Sequence, residues 1–478
     1  MSFASPLFLW YFMPAVLLAV LVAPRGWRNG IVAVASLLFY ASGAGGTTLL
    51  LLACIVVNYL AGMGLEPDEW DVSSRARRRW LLIGVVGFDV SVLLVWKYAG
   101  FATQQLDTIA GWFGGSVPIV ELVLPIGISF YTFHHISYVV DVYRGDRPAL
   151  RDPVAFVTYI AMFPQLVAGP IVRYHEISEQ LGQKRMHRLD DIAAGFPRFA
   201  LGLTKKVVIA DSLAPLVDEC FRTPPDEMTT AIAWLGALGY TLQLFFDFSG
   251  YSDMAIGLGR MLGFRLPENF ARPYSSVTVT EFWRRWHMSL SRWFRDYVYI
   301  PLGGNRRGKA TTYRNLWIVF LLTGFWHGAN WTFVIWGVYH GALLVIERVF
   351  GWDKSPVNTA AWVGRRALTF LLVVIGWVFF RAPDVGTALS ILGHMFVPDF
   401  GGLTDMVDTA LTNQRLVLLL LASTVVLLPT EPVAGPYLES VRTPTATTLR
   451  IGVMTVGVIY AAILVAAGTF SPFLYYQF

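Results

Sequence analysis

Long apolar runs separated by short basic loops dominate the chain. Such runs cover residues 7–22 and 31–65, the second of them broken by glycines at 43–46, and further runs cover 81–98 and 229–248. A helix of about 20 apolar residues spans the hydrocarbon core of a bilayer. Together with shorter apolar runs nearer the carboxyl terminus, this pattern predicts an all-α, polytopic membrane protein with about ten to twelve membrane segments.

Some of these runs contain residues that a simple membrane helix avoids. Asp89 lies inside the run at 81–98 and should face protein or water. Pro125 and Gly127 precede the neighbouring histidines His134 and His135 in one apolar run, and the run at 156–172 also contains prolines and a glycine. Proline and glycine in an apolar run favour broken helices that line a cavity.

The stretch at 281–304, EFWRRWHMSLSRWFRDYVYIPLGG, has a different pattern. At about 100° per residue, its tryptophans, His287 and Leu290 share one arc of a helix, while a second arc carries Arg284, Arg285, Arg292 and Arg295. This pattern predicts one amphipathic helix at a membrane interface, with the aromatic face inward and the guanidinium groups toward phosphate or water. His287 lies at the edge of the aromatic face. Its alternative interpretation is a polar contact within an anchoring helix.

A second histidine, His327, follows an uncharged run at 316–325 in the string TGFWHGANW. An ionisable side chain at membrane depth usually faces a bundle interior or a water-filled cavity, so His327 is a candidate functional residue. The alternative is a packed histidine that donates to a backbone carbonyl. His340 lies in the next apolar run and is expected to be structural.

Two aspartates, Asp247 and Asp253, flank a Gly-Tyr-Ser sequence where the run at 229–248 ends, and this sequence predicts a turn beside the membrane. Their carboxylates are candidates for orienting the histidines or binding the downstream arginines. Helix capping and surface pairing are the alternatives.

Composition narrows the class of protein. The chain has 478 residues, 55% of them hydrophobic and 14% charged, with a mean hydropathy of +0.53. Its net charge of +5 is concentrated in the short loops, which indicates membrane orientation more than nucleic-acid binding. The two cysteines have no metal-ligand spacing, so neither a disulfide framework nor a metal site is indicated. P-loop, dinucleotide-binding, nucleophile-elbow and zinc-protease motifs are absent from the sequence.

Several strings together resemble the membrane-bound O-acyltransferase (MBOAT) family, in its bacterial alginate O-acetylation branch. They are FDFSGYSDMAIGLGRMLGFRLPENF, EFWRRWHMSLSRWFRDYVYIPLGGNRRG and GFWHGANWTFVIWGVYHG, with PIGISFYTFHHISYVVDVYRG and FPQLVAGPIVRY before them. The resemblance covers about residues 124–341. It implies a single membrane domain over 1–478, with flanking helices at 1–123 and 342–478, arranged around a funnel-like centre.

The resemblance also implies a function. It implies acyl transfer with His327 and His287 as the catalytic residues, and with no bound cofactor. The acyl group, most simply acetyl, would pass from a cytoplasmic thioester such as acetyl-CoA towards an extracytoplasmic polysaccharide such as alginate or another exopolysaccharide. The expected partner is a secreted or membrane-anchored SGNH-type acetyltransferase, and the expected location is the plasma (inner) membrane. The supporting residues would be Asp247, Asp253, Asn269, Arg284, Arg285, Arg292 and Arg295.

The chemistry of imidazole agrees with this implication. Transfer to a hydroxyl needs a base near the attacking oxygen, and neutral imidazole suits neutral pH. Two other classes stay open from the residues alone. A transporter would also have broken helices and intramembrane charges, although no inverted repeat is visible in the sequence. A non-catalytic scaffold of a polysaccharide secretion complex would not depend on His327.

Overall fold

The protein is described by a computed structural model. It describes residues 2–67, 74–182, 188–354, 356, 358–428, 433–440, 443–468 and 473. Across these ranges the regular structure is helical and contains no strand. The chain divides into two compact units, Met1–Phe196 with Ala255–Pro267 and Pro197–Met254 with Glu268–Phe478. The prediction of an all-α fold is confirmed.

The first unit contains eight complete α-helices within the described ranges. They are α1 Met13–Val22, α2 Arg28–Ala44, α3 Thr48–Leu65, α4 Ser74–Gly111, α5 Ile128–Arg144, α6 Pro153–Ala161, α7 Phe163–Leu166 and α8 Tyr174–Gly182. A π-helical turn, Phe8–Phe12, leads into α1, and short 3₁₀ turns at Arg25–Trp27 and Gly45–Thr47 precede α2 and α3.

The second unit is built from the remaining helices. Helix α9, Arg188–Leu203, enters it from the first unit, and α11, Thr230–Met261, leaves it for the first unit. Its other helices are α10 Asp211–Arg222, α12 Val279–Arg285, α13 Met288–Phe294, α14 Lys309–His327, α15 Trp331–Val349, α16 Thr359–Arg381, α17 Val385–Phe396, α18 Asp405–Ala410, α19 Asn413–Leu427, α20 Ala434–Ser440, α21 Pro444–Gly452 and α22 Val458–Ala466. π-Helical turns occupy Thr204–Ala210, Arg295–Tyr299 and Val453–Gly457, and Pro273–Ser275 forms a 3₁₀ turn.

Six helical stretches in the described ranges are long and apolar enough to cross a membrane. They are Arg28–Leu65, Ser74–Gly111, Thr230–Met261, Trp331–Val349, Thr359–Arg381 and Pro444–Ala466, and shorter apolar helices cover Phe8–Val22, Val385–Phe396 and Asn413–Leu427. The stretch Arg28–Leu65 contains both α2 and α3, so the number of long stretches is smaller than the number of apolar helices.

The predicted interruptions are present in the first unit. Gly127 has a left-handed backbone (φ 71°) immediately before α5, and a Cβ there would lie 2.6 Å from the carbonyl oxygen of Leu166. Glycine is therefore required at this close approach. Asp89 is buried in α4 and accepts a hydrogen bond from Asn58 Nδ2 at 2.8 Å, so it faces protein as expected.

In the second unit, α14 and α15 pack as an antiparallel hairpin with glycines at their contact. A Cβ on Gly324 would lie 2.5 Å from the carbonyl oxygen of Phe333, and a Cβ on Gly337 would lie 2.5 Å from that of Phe320. Asn330 caps α15 through its side chain. This close packing fixes the carboxyl-terminal turn of α14, where His327 lies.

We expect Gly324→Ala to destabilise the protein by about 1–3 kcal/mol, because the added methyl group overpacks the hairpin contact. The measurement is the thermal unfolding midpoint of the purified protein in detergent. Gly364→Ala in α16 is the matched control, because a Cβ at Gly364 has no atom within 4 Å. Equal unfolding midpoints for the two variants would contradict the expectation.

Candidate functional site

His327 is the last residue of α14, and its side chain is buried in the second unit. Gly328 follows in an extended conformation and ends the helix. The imidazole is enclosed by aromatic rings, with centroids 4.9 Å from those of Trp326 and Phe380 and 5.0 Å from that of Trp336. The surroundings of this imidazole are therefore largely aromatic.

His287 lies between two short helices rather than within one long helix. Helix α12 ends at Arg285, α13 begins at Met288, and His287 has a left-handed backbone (φ 43°). The prediction of one continuous amphipathic helix is therefore wrong. Its aromatic residues are nevertheless buried, as expected: Trp283, Trp286, Trp293 and Phe294.

The break has a clear cause in hydrogen bonding. The carbonyl oxygen of Asn269 accepts from the Met288 backbone N–H at 2.9 Å, and its side-chain Oδ1 accepts from the Ser289 N–H at 3.2 Å. These amides would otherwise need partners in the preceding helical turn. Asn269 therefore replaces the helical hydrogen bonds at this point and turns the chain at His287.

Asn269 also fixes the ring of His287. Its Oδ1 lies 3.1 Å from His287 Nδ1, and the hydroxyl of Ser289 donates to the same oxygen at 2.9 Å. Because the Ser289 backbone N–H can only donate, the Asn269 atom that it contacts is the amide oxygen, so His287 Nδ1 is the donor in this pair. Nε2 is then the proton-accepting nitrogen of His287.

Helix α11 completes the surroundings of His287. Phe248 packs edge-on against the imidazole at 4.7 Å, and Ser252 Oγ, one turn later on the same face, accepts from Asn269 Nδ2 at 3.0 Å. His287 is 1% exposed. Burial lowers its pKa to about 3, so the ring is neutral at physiological pH.

This shift in pKa predicts a pH dependence of stability. In the unfolded chain His287 binds a proton below about pH 6.5, whereas the folded protein keeps it neutral down to about pH 3. Folding stability is therefore lost as the pH falls below 6.5, by about 2–3 kcal/mol at about pH 4.5. We expect His287→Gln to show a smaller fall in unfolding midpoint than the parent between these two pH values. An identical fall in both proteins would contradict the burial effect.

Trp326 connects the two histidines. Its ring centroid lies 4.9 Å from that of His327 and 6.1 Å from that of His287. Sequence reasoning did not single out this tryptophan as a site residue, although it directly precedes His327 in the motif. The structure thus brings both predicted catalytic histidines into contact range of one indole.

A cavity of about 930 Å³ opens beside His287. Its lining also includes Thr323, one turn before His327 on α14. Six arginines contribute to the lining, namely Arg284, Arg292, Arg295, Arg306, Arg307 and Arg348, and its lining residues include no aspartate or glutamate. A cavity with this charge suits an anionic ligand such as one that carries phosphate.

Only three of the four predicted supporting arginines line the cavity. Arg284, Arg292 and Arg295 line the cavity, whereas Arg285 lies outside the lining and pairs with Glu281 at 2.7 Å. Arg295 also pairs with Asp296 at 2.7 Å. Sequence reasoning missed Arg348, which belongs to α15 and has no neighbouring motif.

Asp247 and Asp253 lie inside α11 rather than at a turn, so that prediction is wrong. The helix continues through Gly250, where a Cβ would lie 2.8 Å from the carbonyl oxygen of Gly202 and the missing side chain lets the two segments pack closely. Both carboxylates pair with upstream cations instead of the histidines or the downstream arginines. Asp247 contacts Lys206 at 2.6 Å, and Asp253 contacts Arg198 at 2.6 Å.

The amino-terminal end of α12 is anchored to α15. Thr278 caps the helix by accepting from the Glu281 backbone N–H at 2.9 Å. The carboxylate of Glu347 in α15 accepts from the Val279 and Thr280 backbone N–H groups at 2.6 and 2.9 Å. A carboxylate at a helix amino terminus is stabilised by the helix dipole. These contacts hold the segment before His287 against the helix that follows His327.

The remaining membrane histidines lie outside this arrangement. His340 is buried between the rings of Trp283 and Trp336, each 5.0 Å away, as expected for a structural residue. His134 and His135 are buried in α5 of the first unit.

Comparison with known proteins gives one family. The family model of membrane-bound O-acyltransferases matches residues 146–380. A probable alginate O-acetylase of Pseudomonas putida is 44% identical, with 100% of both chains covered. A peptidoglycan O-acetyltransferase of Helicobacter pylori is 36% identical over 82% of this chain and 79% of its own. A teichoic acid D-alanyltransferase of Bacillus subtilis is 29% identical over 55% of this chain and 70% of its own.

Proposed function

Because the chain belongs to the membrane-bound O-acyltransferase family, we propose that this membrane O-acetyltransferase serves the O-acetylation of an extracytoplasmic polysaccharide. Alginate or a related exopolysaccharide is the proposed acceptor, and a cytoplasmic acyl thioester such as acetyl-CoA is the proposed donor. The protein acts in the plasma (inner) membrane. If the acetyl group reaches the polymer in two steps, a secreted or membrane-anchored SGNH-type acetyltransferase receives it first and passes it to the polysaccharide.

One observation carries this proposal. A buried histidine at the end of α14 shares Trp326 with His287, and His287 lines an arginine-rich cavity. The proposed base therefore lies four residues after the lining residue Thr323, in the same unit as a site suited to an anionic donor. Transfer between a donor and a hydroxyl requires both.

The residues suggest the following transfer. The acceptor oxygen attacks the thioester carbonyl carbon as His327 takes the hydroxyl proton. The C–S bond then breaks, the ester is released, and the proton passes from His327 to the leaving sulfur. The aromatic enclosure excludes water, which limits hydrolysis of the thioester. Orientation of the two reactants in such a site contributes about 7–11 kcal/mol to lowering the barrier.

His287 has a different role in this scheme. Its Nδ1 donates to Asn269, so the proposed role falls to Nε2. Because its ring is neutral, His287 is not an additional cation that would bind the donor phosphates in place of the cavity arginines. We assign it to orienting the thioester end of the donor beside His327.

The test combines a gene deletion with an acetyl-transfer assay in membrane vesicles of known orientation. Deletion should remove O-acetyl esters from the surface polysaccharide, and the wild-type gene should restore them. Inverted membrane vesicles, which expose the cytoplasmic face, should incorporate label from acetyl-labelled acetyl-CoA, and right-side-out vesicles should not. Unchanged ester content after deletion would show that the surface polysaccharide is not the acceptor. Incorporation only by right-side-out vesicles would overturn the cytoplasmic donor.

A further inference from the structure

A buried arginine stands behind the residues that fix His287. Arg198 belongs to α9 and its side chain is 2% exposed. Its Nε donates to Asp253 Oδ1 at 2.6 Å, and its two terminal nitrogens donate to the two carboxylate oxygens of Glu268 at 3.0 and 2.6 Å. One guanidinium group therefore joins two carboxylates that come from different segments.

Each of these carboxylates is the sequence neighbour of a residue that holds His287. Asp253 follows Ser252, and Glu268 precedes Asn269. Ser252 and Asn269 are hydrogen-bonded to each other at 3.0 Å, and Asn269 accepts from His287. Arg198 thus links Asp253 in α11 to Glu268 in the segment before α12, next to the hydrogen bond between Ser252 and Asn269. Together these contacts fix the distance between the two segments.

We propose that Arg198 is a positioning residue that sets the orientation of His287 through Asn269. The proposal rests on the proposed function, in which His287 lies beside the donor cavity. Arg198 does not belong to the cavity lining. Its shortest contacts are those to Asp253 and Glu268, and Glu439 lies farther away, at 3.6 Å from the same guanidinium group.

The surroundings of Arg198 favour a planar guanidinium group over other cations. Lys205 supplies a second cation to Asp253 at 2.6 Å, so the buried Asp253 has more than one charged partner. Gly435 packs against the guanidinium, and a Cβ at Gly435 would lie 2.2 Å from Cζ of Arg198. Lysine keeps the charge but cannot reproduce the three directed hydrogen bonds of the guanidinium group.

His287 also needs external support because its backbone is left-handed (φ 43°). A non-glycine residue in this conformation is held there by its surroundings. Asn269 provides that support by accepting hydrogen bonds from the His287 ring and from the backbone N–H groups of Met288 and Ser289, which follow the histidine. Loosening the segment around Glu268 therefore releases the ring and the backbone together.

The experiment compares Arg198→Lys and Arg198→Gln with the wild type in purified protein. Arg173→Gln is the matched control, because Arg173 is buried in the first unit and pairs with Glu176 at 2.6 Å. We expect both Arg198 variants to lower kcat for acetyl transfer by about tenfold to a hundredfold. Arg198→Lys should retain the wild-type unfolding midpoint more closely than Arg198→Gln, which keeps the test informative if the glutamine variant folds poorly.

A second readout separates positioning from general destabilisation. Diethyl pyrocarbonate modifies accessible neutral imidazoles, and peptide mass spectrometry resolves each histidine. We expect modification of His287 to rise severalfold in Arg198→Lys while that of His340 and His134 stays at the wild-type value. Equal increases at all three histidines, or no increase at His287, would overturn the positioning role.

A double variant tests whether the effect of Arg198 passes through Asn269. In an Asn269→Ala background, Arg198→Lys should cause little further loss of kcat, because the residue that transmits its effect is gone. Fully additive losses would overturn the proposed route. If His287 modification responds as expected but His327→Ala transfers acetyl normally, the proposed function fails and the positioning role stands.

Discussion

Replacing His327 with alanine should reduce acetyl transfer by about 10²–10⁴-fold, the usual contribution of a general base. The imidazole lies in an aromatic enclosure and adjoins Trp326, so no solvent base replaces it readily. His327→Gln should show a similar loss, because the amide fills more of the space but cannot take a proton. Acetyl ester in the surface polysaccharide of a complemented deletion strain, at matched membrane expression, measures the effect.

His340→Gln is the matched control for this experiment. His340 is buried and packs against Trp336 at the same 5.0 Å as His327, yet it lies outside the proposed site. We expect this variant to retain most of the wild-type ester content. Full restoration of acetyl ester by His327→Ala would show that His327 is not the base, and the scaffold interpretation would then be favoured.

Removing two cavity arginines should weaken donor binding. Arg284 and Arg306 both line the cavity, and both side chains are exposed. A charge-assisted contact to phosphate contributes about 1.5–3 kcal/mol, so Arg284→Gln with Arg306→Gln should raise the KM for acetyl-CoA by about a hundredfold or more. Because these contacts are equal in the ground state and the transition state, kcat should change little.

The control for the arginine experiment is Arg222→Gln. Arg222 is exposed in α10 and pairs with Glu219 at 3.1 Å, away from the cavity lining. Its removal should leave the KM near the wild-type value. The KM of the wild type should also rise with salt concentration, and that of the double variant should rise less, because fewer charges are screened. A double variant with wild-type KM would place the donor elsewhere.

Much of the fold followed from local pattern. Apolar runs identified the long membrane helices, and prolines and glycines identified interrupted ones such as the segment before α5. Asp89 was expected to face protein, and its contact with Asn58 confirms this. These predictions succeed because the cost of exposing backbone or charge to hydrocarbon depends on the segment itself.

The two local predictions that are wrong have a shared cause. Periodicity in the stretch 281–304 predicts one helix, but Asn269, 18 positions before His287, accepts the hydrogen bonds that break it. The Gly-Tyr-Ser sequence after Asp247 predicts a turn, but Gly250 instead lets α11 pack closely against the segment at Gly202. In both places a distant partner outweighs the preference of the local sequence.

Apolar run lengths and motif strings were sufficient to predict an all-helical membrane O-acyltransferase with His287 and His327 as candidate site residues, since both kinds of signal are local properties of the chain. Folding brought Trp326 into contact with both histidines, separated Arg285 from the cavity arginines, and brought Arg198 to Asp253 and Glu268 across 55 and 70 positions of the chain. The physical reason is that hydrogen bonds and ion pairs form between atoms that folding brings within about 3 Å, and sequence spacing does not specify which distant residues will meet.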